Sequence, residues 1–314
     1  MAEALEIGET EPLDNLNPHH PWLDDHVDLV LRSQDGTLFP VHSVMLKSAS
    51  GFFRSMLGIP RDAKEDPSDP IPMEESSEVL ATLLNIVYHI SLPSTDNVDQ
   101  LEQILARAEK YDMSSVLSII RFIVSAESLA GHLDPLISYA IGCRYGWEDI
   151  AKSASTRTLD IDISTLSDAD AAKIGLGCFL KLQRFHRIRR DKLFDAMSPP
   201  TPPSPTDPTI VIDRVHISNC VSQRDMRPCC LDRVRCPAWK LLKHCIAREM
   251  EKRPSGIVLR RNPFWDREDF EDLWKSFASY SGCSCNSWCP PLDRLCTKTE
   301  VLRFLDSNVV PKTI

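Results

Sequence analysis

The chain has 314 residues, 42% of them hydrophobic, and a formal net charge of −9. That is enough apolar material for a sizeable core and two domains, and the acidic balance argues against wholesale nucleic-acid binding. The charge is uneven: residues 209–314 hold 18 Lys and Arg against 13 Asp and Glu, which leaves −14 for residues 1–208. The opening MAEALEIGETEPLDN lacks the basic start and apolar run of a signal peptide. No apolar run reaches the ~18 residues of a spanning helix. A soluble, intracellular protein is expected, cytoplasmic or nuclear, with its 11 cysteines reduced.

Residues 1–22 show little periodicity and are read as a disordered N-terminus. From there Val27, Leu29 and Leu31 alternate with His26, Asp28, Val30 and Arg32, which predicts a strand with one apolar face. Asp35-Gly36 signals a hairpin turn, and LFPVH returns as the second strand. After Ser43 the period becomes helical. Val44, Met45, Phe52, Phe53, Met56 and Leu57 share one broad surface, with Ser50-Gly51 as a break between two short helices. The Pro- and Asp-rich GIPRDAKEDPSDPIPM is a solvated loop ending in a short edge strand.

Helices then dominate. EVLATLLNIVYHI is apolar on most sides, as a buried helix should be. Val98, Leu101, Ile104, Leu105, Ala108 and Tyr111 recur at helical spacing, with Asp96 or Asn97 as the cap. SSVLSIIRFIVSAE follows with Ser114 as its cap, and its end near residue 127 closes a first domain, 23–127. Two further helical pieces make an extension, 128–197. Pro135 stands in the first turn of one, and Asp168 or Asp170 caps the other. Residues 198–208, SPPTPPSPTDP, carry six prolines and read as a stiff linker. Nine of the 11 cysteines fall in residues 209–314, which marks a small α-rich tail domain.

The series Asp28-Leu-Val-Leu, Phe39-x-Val41-His42, Leu46, Ser50, Phe52-Phe53 and Met56 resembles the BTB/POZ domain. EVLATLLNIVYHI and ILARAEKYDM match its later helices in order and spacing, so the resemblance covers about residues 24–127. The wider order is similar to fungal BTB-domain proteins with a helical extension like LQRFHRIRR and a tail with a CSC element. The expected architecture is therefore α/β, mainly helical α+β, with a small N-terminal sheet. The resemblance implies a homodimer interface formed by the helix after His42 and the residues before the first strand. Its carriers here would be Trp22, Val44, Met45, Lys47 and Phe52. Some relatives bind peptides in a charged pocket that uses a basic residue directly after the histidine, where this chain has Ser43. From the residues alone, Asp28 and His42 are expected to be partly buried, each hydrogen-bonded to the other or to nearby backbone N–H groups.

Chemistry is sparse. Cys283, Cys285 and Cys289, with Cys296 beyond, could share a zinc ion whose remaining ligands come from among Cys220, Cys229, Cys230 and Cys236. Their spacing is not that of paired CxxC knuckles, and free packed thiols explain them as well; no cofactor is the first expectation. His244 and Cys245 are sequence neighbours on one helix and point apart. No phosphate loop, paired-His helix or serine elbow is present, and no catalytic residue is assigned. Arg184, His186, Arg187, Arg189, Arg190 and Lys192 are a nuclear-localisation or phosphate-contacting run, or else the solvated face opposite an apolar stripe of Ile174, Cys178, Leu182 and Phe185. In the tail, Phe270, Leu273, Trp274 and Phe277 read as core. A non-enzymatic interaction protein is expected, binding protein partners through a homodimeric BTB-like domain. The alternatives are a cullin-type ubiquitin-ligase adaptor, docking through residues 58–73 or 93–113, and a transcription or chromatin regulator with a metal-bound tail.

Overall fold

The computed structural model describes residues 27–59, 69–95, 97–197, 237–278, 294–307 and 311–314. Two compact units divide the chain, Met1–Leu133 and Asp134–Ile314.

The first unit is built on the expected hairpin. Strand β1 (Leu29–Arg32) pairs antiparallel with β2 (Leu38–Val41), Leu29 opposite Val41 and Arg32 opposite Leu38. Leu29 and Leu31 face inward while Arg32 faces water, the alternation a one-sided sheet requires. Gly36 closes the turn at φ 86°, a left-handed value that costs a glycine little. The short strand β3 (Ile71–Pro72) lies parallel to β1, giving the order β2-β1-β3 and leaving Pro72 on an edge where no ladder donor is needed.

Helix α1 (Ser43–Ala49) and helix α2 (Gly51–Met56) are separated at Ser50, which is fully extended. The Ser50 hydroxyl accepts from Phe53 N at 3.1 Å and donates to Tyr111 O at 2.5 Å, so one side chain caps α2 and ties it to a distant turn. Gly51 permits the approach: a Cβ there would stand 1.9 Å from the Asp112 carboxylate. Helix α3 (Ser77–Val87) is buried on most sides, as its composition predicts. Helix α4 (Val98–Lys110) buries Leu101, Ile104, Leu105 and Ala108 and is capped by Asn97, whose side chain accepts from Gln100 N at 3.1 Å. Helix α5 (Ser114–Ala130) runs three residues beyond 127 and ends at Gly131. Ser114 is its first helical residue and not its cap; Met113 occupies the cap position with no side-chain bond.

The second unit is all helical among the described residues. The stretch read as one helical piece is two: α6 (Pro135–Arg144), with Pro135 in the first turn and Asp134 as cap, and α7 (Glu148–Thr158). The next piece is also divided, into α8 (Asp168–Ile174) and α9 (Leu176–Ala196), at Gly175. Ser167 caps α8, accepting from Asp170 N at 3.2 Å and donating to the Asp170 carboxylate; Asp168 and Asp170 sit in its first turn, where they complement the helix dipole. The tail supplies α10 (Pro237–Lys252), α11 (Ile257–Arg260), α12 (Asn262–Trp265), α13 (Glu271–Ala278) and α14 (Arg294–Asp306).

Helix α9 joins two cores. Leu182 and Phe185 pack with Tyr139, Ala154 and Leu159, while Leu193, Ala196 and Met197 pack with Leu242, Ile246, Trp265 and Phe304. The extension and the described tail therefore share a core, although the sequence reading places a linker between them. Arg184, Arg187 and Lys192 are exposed, as the solvated-face reading of the basic run expects, but the junction corrects it for two residues. His186 and Arg189 are 4% and 5% exposed, because 182, 185, 186, 189, 193 and 196 fall on one helical stripe. Phe270 is buried as expected, and Trp274 is packed against the same core; the Leu273 and Phe277 side chains lie outside the described residues. No helix among the described residues is long and apolar enough to cross a membrane.

Asp35 does more than turn the hairpin. Its carboxylate accepts from Ser77 N at 3.1 Å and Ser77 Oγ at 2.6 Å, anchoring the start of α3, and also accepts from Ser33 Oγ. Hydrogen bonds from Ser33 and Ser77 hold its pKa far below the usual carboxylate range. Asp35→Ala is expected to lower stability by about 1 kcal/mol at neutral pH, the usual loss on removing a helix-start acceptor. A depressed folded-state pKa stabilises above the unfolded value of about 3.9 and is lost as pH falls through the folded value. Urea midpoints of wild type and variant should therefore differ fully above about pH 4 and draw together only as pH falls from there toward the depressed folded value.

Candidate functional site

The strand-to-helix junction places four polar side chains around the start of α1. Asp28, just before β1, accepts from Ser43 N at 2.6 Å and from Ser43 Oγ at 2.6 Å, so its carboxylate caps α1 from across the hairpin. Burial alone would raise the Asp28 pKa, but the two Ser43 bonds and nearby His42 bring it below the usual value. His42 has no side-chain cap bond. Its backbone N–H donates to the Tyr88 hydroxyl at 2.8 Å, and its Nδ1 lies 3.1 Å from the same oxygen. Burial chiefly raises the Tyr88 pKa, so the hydroxyl stays neutral and able to bridge both His42 atoms.

The expected arrangement is corrected in one respect. Asp28 is exposed rather than partly buried, because it precedes the strand; only His42 is half-buried. Of the two expected kinds of partner, Asp28 takes a nearby backbone N–H, that of Ser43, and not His42. Ser43 satisfies Asp28 and Tyr88 satisfies His42. With a serine where a basic residue would make an ion pair, the carboxylate is held by neutral hydrogen bonds. Neither Ser43 nor Tyr88 was singled out as a carrier of the junction; the polar end of an otherwise apolar helix was the available signal for Tyr88.

The apolar residues of α1 and α2 divide between core and water. Phe53 is 1% exposed and Leu46, not among the named site residues, is fully buried. Met45 and Met56 are half-buried, as is Lys47. Val44 is 68% and Phe52 43% exposed, and Ile59 just beyond α2 is 68% exposed. Phe52 is nonetheless fixed: its ring lies 5.3 Å from that of Phe53 and 5.4 Å from that of Tyr111, which in turn stacks on Phe53 at 5.6 Å. Trp22 lies outside the described residues.

Behind these rings is a buried carboxylate that sequence reasoning missed. The Glu75 side chain is wholly inaccessible and accepts from the Tyr111 hydroxyl and from Lys110 Nζ at 3.0 Å, with Arg107 Nε at 3.4 Å. Its backbone carbonyl accepts from Gln34 N at 2.8 Å, reaching the hairpin turn. Burial and the Glu75 bond push the Tyr111 pKa up to about 12. Burial acts to lower that of Lys110, but the bonds to Glu74 and Glu75 outweigh it and raise the value. One of two adjacent glutamates in a loop gives no periodic signal, so only the pairing with Lys110 at the end of α4 and with Tyr111 just beyond it reveals Glu75.

The cysteines proposed for zinc, Cys229, Cys230, Cys283, Cys285 and Cys289, lie outside the described residues, as do Cys220 and Cys236; so does the side chain of Cys296. No group of three or more His, Cys, Asp or Glu able to hold a metal occurs among the described residues. Cys143, Cys178 and Cys245 are free thiols. Cys245 packs against the core and burial raises its pKa, while His244 is exposed beside Phe194 at 6.2 Å. The two neighbours point apart, Cys245 toward the core and His244 toward water.

Glu75→Ala removes the acceptor for three donors. It is expected to destabilise the protein by about 2–3 kcal/mol, the low end for a broken buried pair because Lys110 and Arg107 are partly exposed. Tyr111→Phe should cost about 1 kcal/mol. Urea midpoints at neutral pH check both.

No curated protein matches the chain. Residues 19–127 match the BTB/POZ domain family, and the three-stranded sheet with its succeeding helices agrees with that match. The N-terminal part of this chain is a BTB/POZ domain, a protein–protein interaction module.

Proposed function

We propose that this protein is a non-enzymatic adaptor that self-associates through its BTB domain and recruits a protein partner through the remainder of the chain. The observation that carries the reading is the pair of exposed apolar side chains, Val44 at 68% and Phe52 at 43%, held on helices whose inner faces are anchored in the core. Water-exposed groups on a rigid element lose little conformational entropy on docking, so their burial favours association. Met45 and Met56, half-buried beside them, add adaptable apolar area. A serine at position 43, bonded to Asp28, removes the basic group of the charged-pocket relatives and favours apolar docking over corepressor-type peptide binding.

The test is sedimentation of the full chain. A dimer is expected at tens of micromolar, and Val44→Asp or Phe52→Ser should raise its dissociation constant by about tenfold or more, since each buries a charge or loses an aromatic anchor at the interface. Val44 is mostly exposed, so Val44→Asp should change the melting temperature of the monomer little, whereas Phe52→Ser also gives up its ring contacts with Phe53 and Tyr111 and should lower it modestly. A wild-type chain that sediments only as monomer overturns the reading.

A second reading, docking to a cullin as a ubiquitin-ligase adaptor, draws support from Ile59, which is 68% exposed within the segment 58–73. Capture of a cullin that is lost on Ile59→Asp is the expected outcome; no capture at any concentration removes it. The regulator with a zinc-bound tail rests on cysteines outside the described residues, and nothing in the described residues favours it.

A further inference from the structure

The outward face of α9 mixes charge with apolar area. Leu176 is 75%, Leu180 39% and Ile188 46% exposed. With Arg184 between the last two, they follow one another at intervals of four. That spacing puts them in one row along the helix, about 18 Å from end to end at 1.5 Å per residue. Lys181, Arg187 and Lys192 are exposed on either side of the row. None of these four cations has an ion pair or side-chain hydrogen bond among the described residues. Arg190, by contrast, is paired with Asp191 and Glu251. The opposite side of the helix, Leu182, Phe185, Arg189 and Leu193, is buried, which fixes the direction in which the row faces.

The exposed residues of α9 thus hold four cations against one acid, Asp195, in a chain of net charge −9. Solubility alone explains the cations, but not aliphatic side chains set among them. Apolar groups one helical turn apart make a continuous patch, the kind of surface that marks an interaction site. The chain next to this face brings no net negative charge to it, because residues 198–236 carry five arginines against four aspartates.

We propose that the outward face of α9 is the docking surface for an acidic amphipathic helix of a partner protein. Its aliphatic side chains would cover Leu176, Leu180 and Ile188, and its carboxylates would meet Lys181, Arg184, Arg187 and Lys192. The inference rests on the reading above, in which the chain beyond the BTB domain recruits a protein, and it gives that recruitment a surface and a partner chemistry. A helix with side chains at four-residue spacing matches a row of the same spacing. Charge complementarity selects an acidic one and fixes its register. An anionic membrane or a nucleic-acid duplex extends past the face and meets the acidic remainder of the protein. A single helix lies within about one Debye length, ~8 Å, of the four cations.

Fluorescence anisotropy of the full chain with a labelled peptide of leucine and glutamate at helical spacing tests it. Saturable binding is expected, about tenfold weaker for a peptide of the same composition in scrambled order, which has no apolar face. Arg184→Glu should weaken binding by about tenfold or more, and Leu176→Ser about fivefold. Both side chains are exposed, so the melting temperature should not change. Absence of saturable binding overturns the proposal, as does wild-type affinity in Arg184→Glu. Equal affinity for the scrambled peptide, or wild-type affinity in Leu176→Ser, overturns the role of the aliphatic row. Phosphatidylserine vesicles captured in place of the peptide, and released by Arg184→Glu, assign the face to a membrane and overturn the protein partner. Sedimentation of the same samples separates the two readings: a dimer that binds no peptide overturns the α9 assignment alone, and a monomer that binds it overturns self-association alone.

Discussion

Burying a carboxylate is unfavourable unless its oxygens find donors, and the BTB domain meets that condition at both oxygens of Glu75. Tyr111, Lys110 and Arg107 come from α4 and the turn that follows it, while the Glu75 backbone receives Gln34 from the hairpin. Three elements distant in sequence must reach their positions together for the charge to be satisfied. Tyr111 then extends the constraint outward: its carbonyl accepts from Ser50, and its ring supports Phe53 and Phe52. The exposed face of α2 thus inherits its rigidity from a charge on the other side of an aromatic ring.

The same economy appears at the start of α1. Asp28 and Ser43 satisfy each other with two short hydrogen bonds, and His42 turns instead to Tyr88, the residue that ends α3. The junction is saturated by its own side chains, which leaves Val44 and Phe52 as the groups whose exposure is uncompensated. Polar closure beside apolar exposure is the pattern of a docking face, where charge specifies orientation and area supplies affinity.

Much of this architecture was legible from pattern alone. The period-2 alternation around Leu29 and Leu31, the Asp35-Gly36 turn and the change of period after Ser43 each reflect local rules that the chain obeys. Asn97 and Pro135 were readable for the same reason, since caps act within a few residues. Apart from the caps of two helices, the misses are tertiary. Asp28 appeared buried because strand position was taken as depth, but it lies outside the ladder. His186 and Arg189 appeared solvated because charge normally marks the outer face of a helix; their spacing with Leu182, Phe185 and Leu193 was the opposing signal, and it decides the orientation. Glu75 could not be found at all without its partners from α4. Ser167, adjacent to the aspartates named as caps, was overlooked because an acidic first turn and a true cap look alike in sequence.

Helix α9 carries one more implication, for the order in which the second unit is made. Its N-terminal half closes a core with α6 and α7, which precede it on the chain, whereas Leu193, Ala196 and Met197 await Leu242 and Ile246. Some forty residues and the whole proline-rich stretch separate them, so a ribosome adding on the order of ten residues per second exposes that half-helix for several seconds. The Lys and Arg residues interspersed along α9 are well placed to keep the nascent segment soluble during that interval, a task they perform before any contact in the finished fold exists.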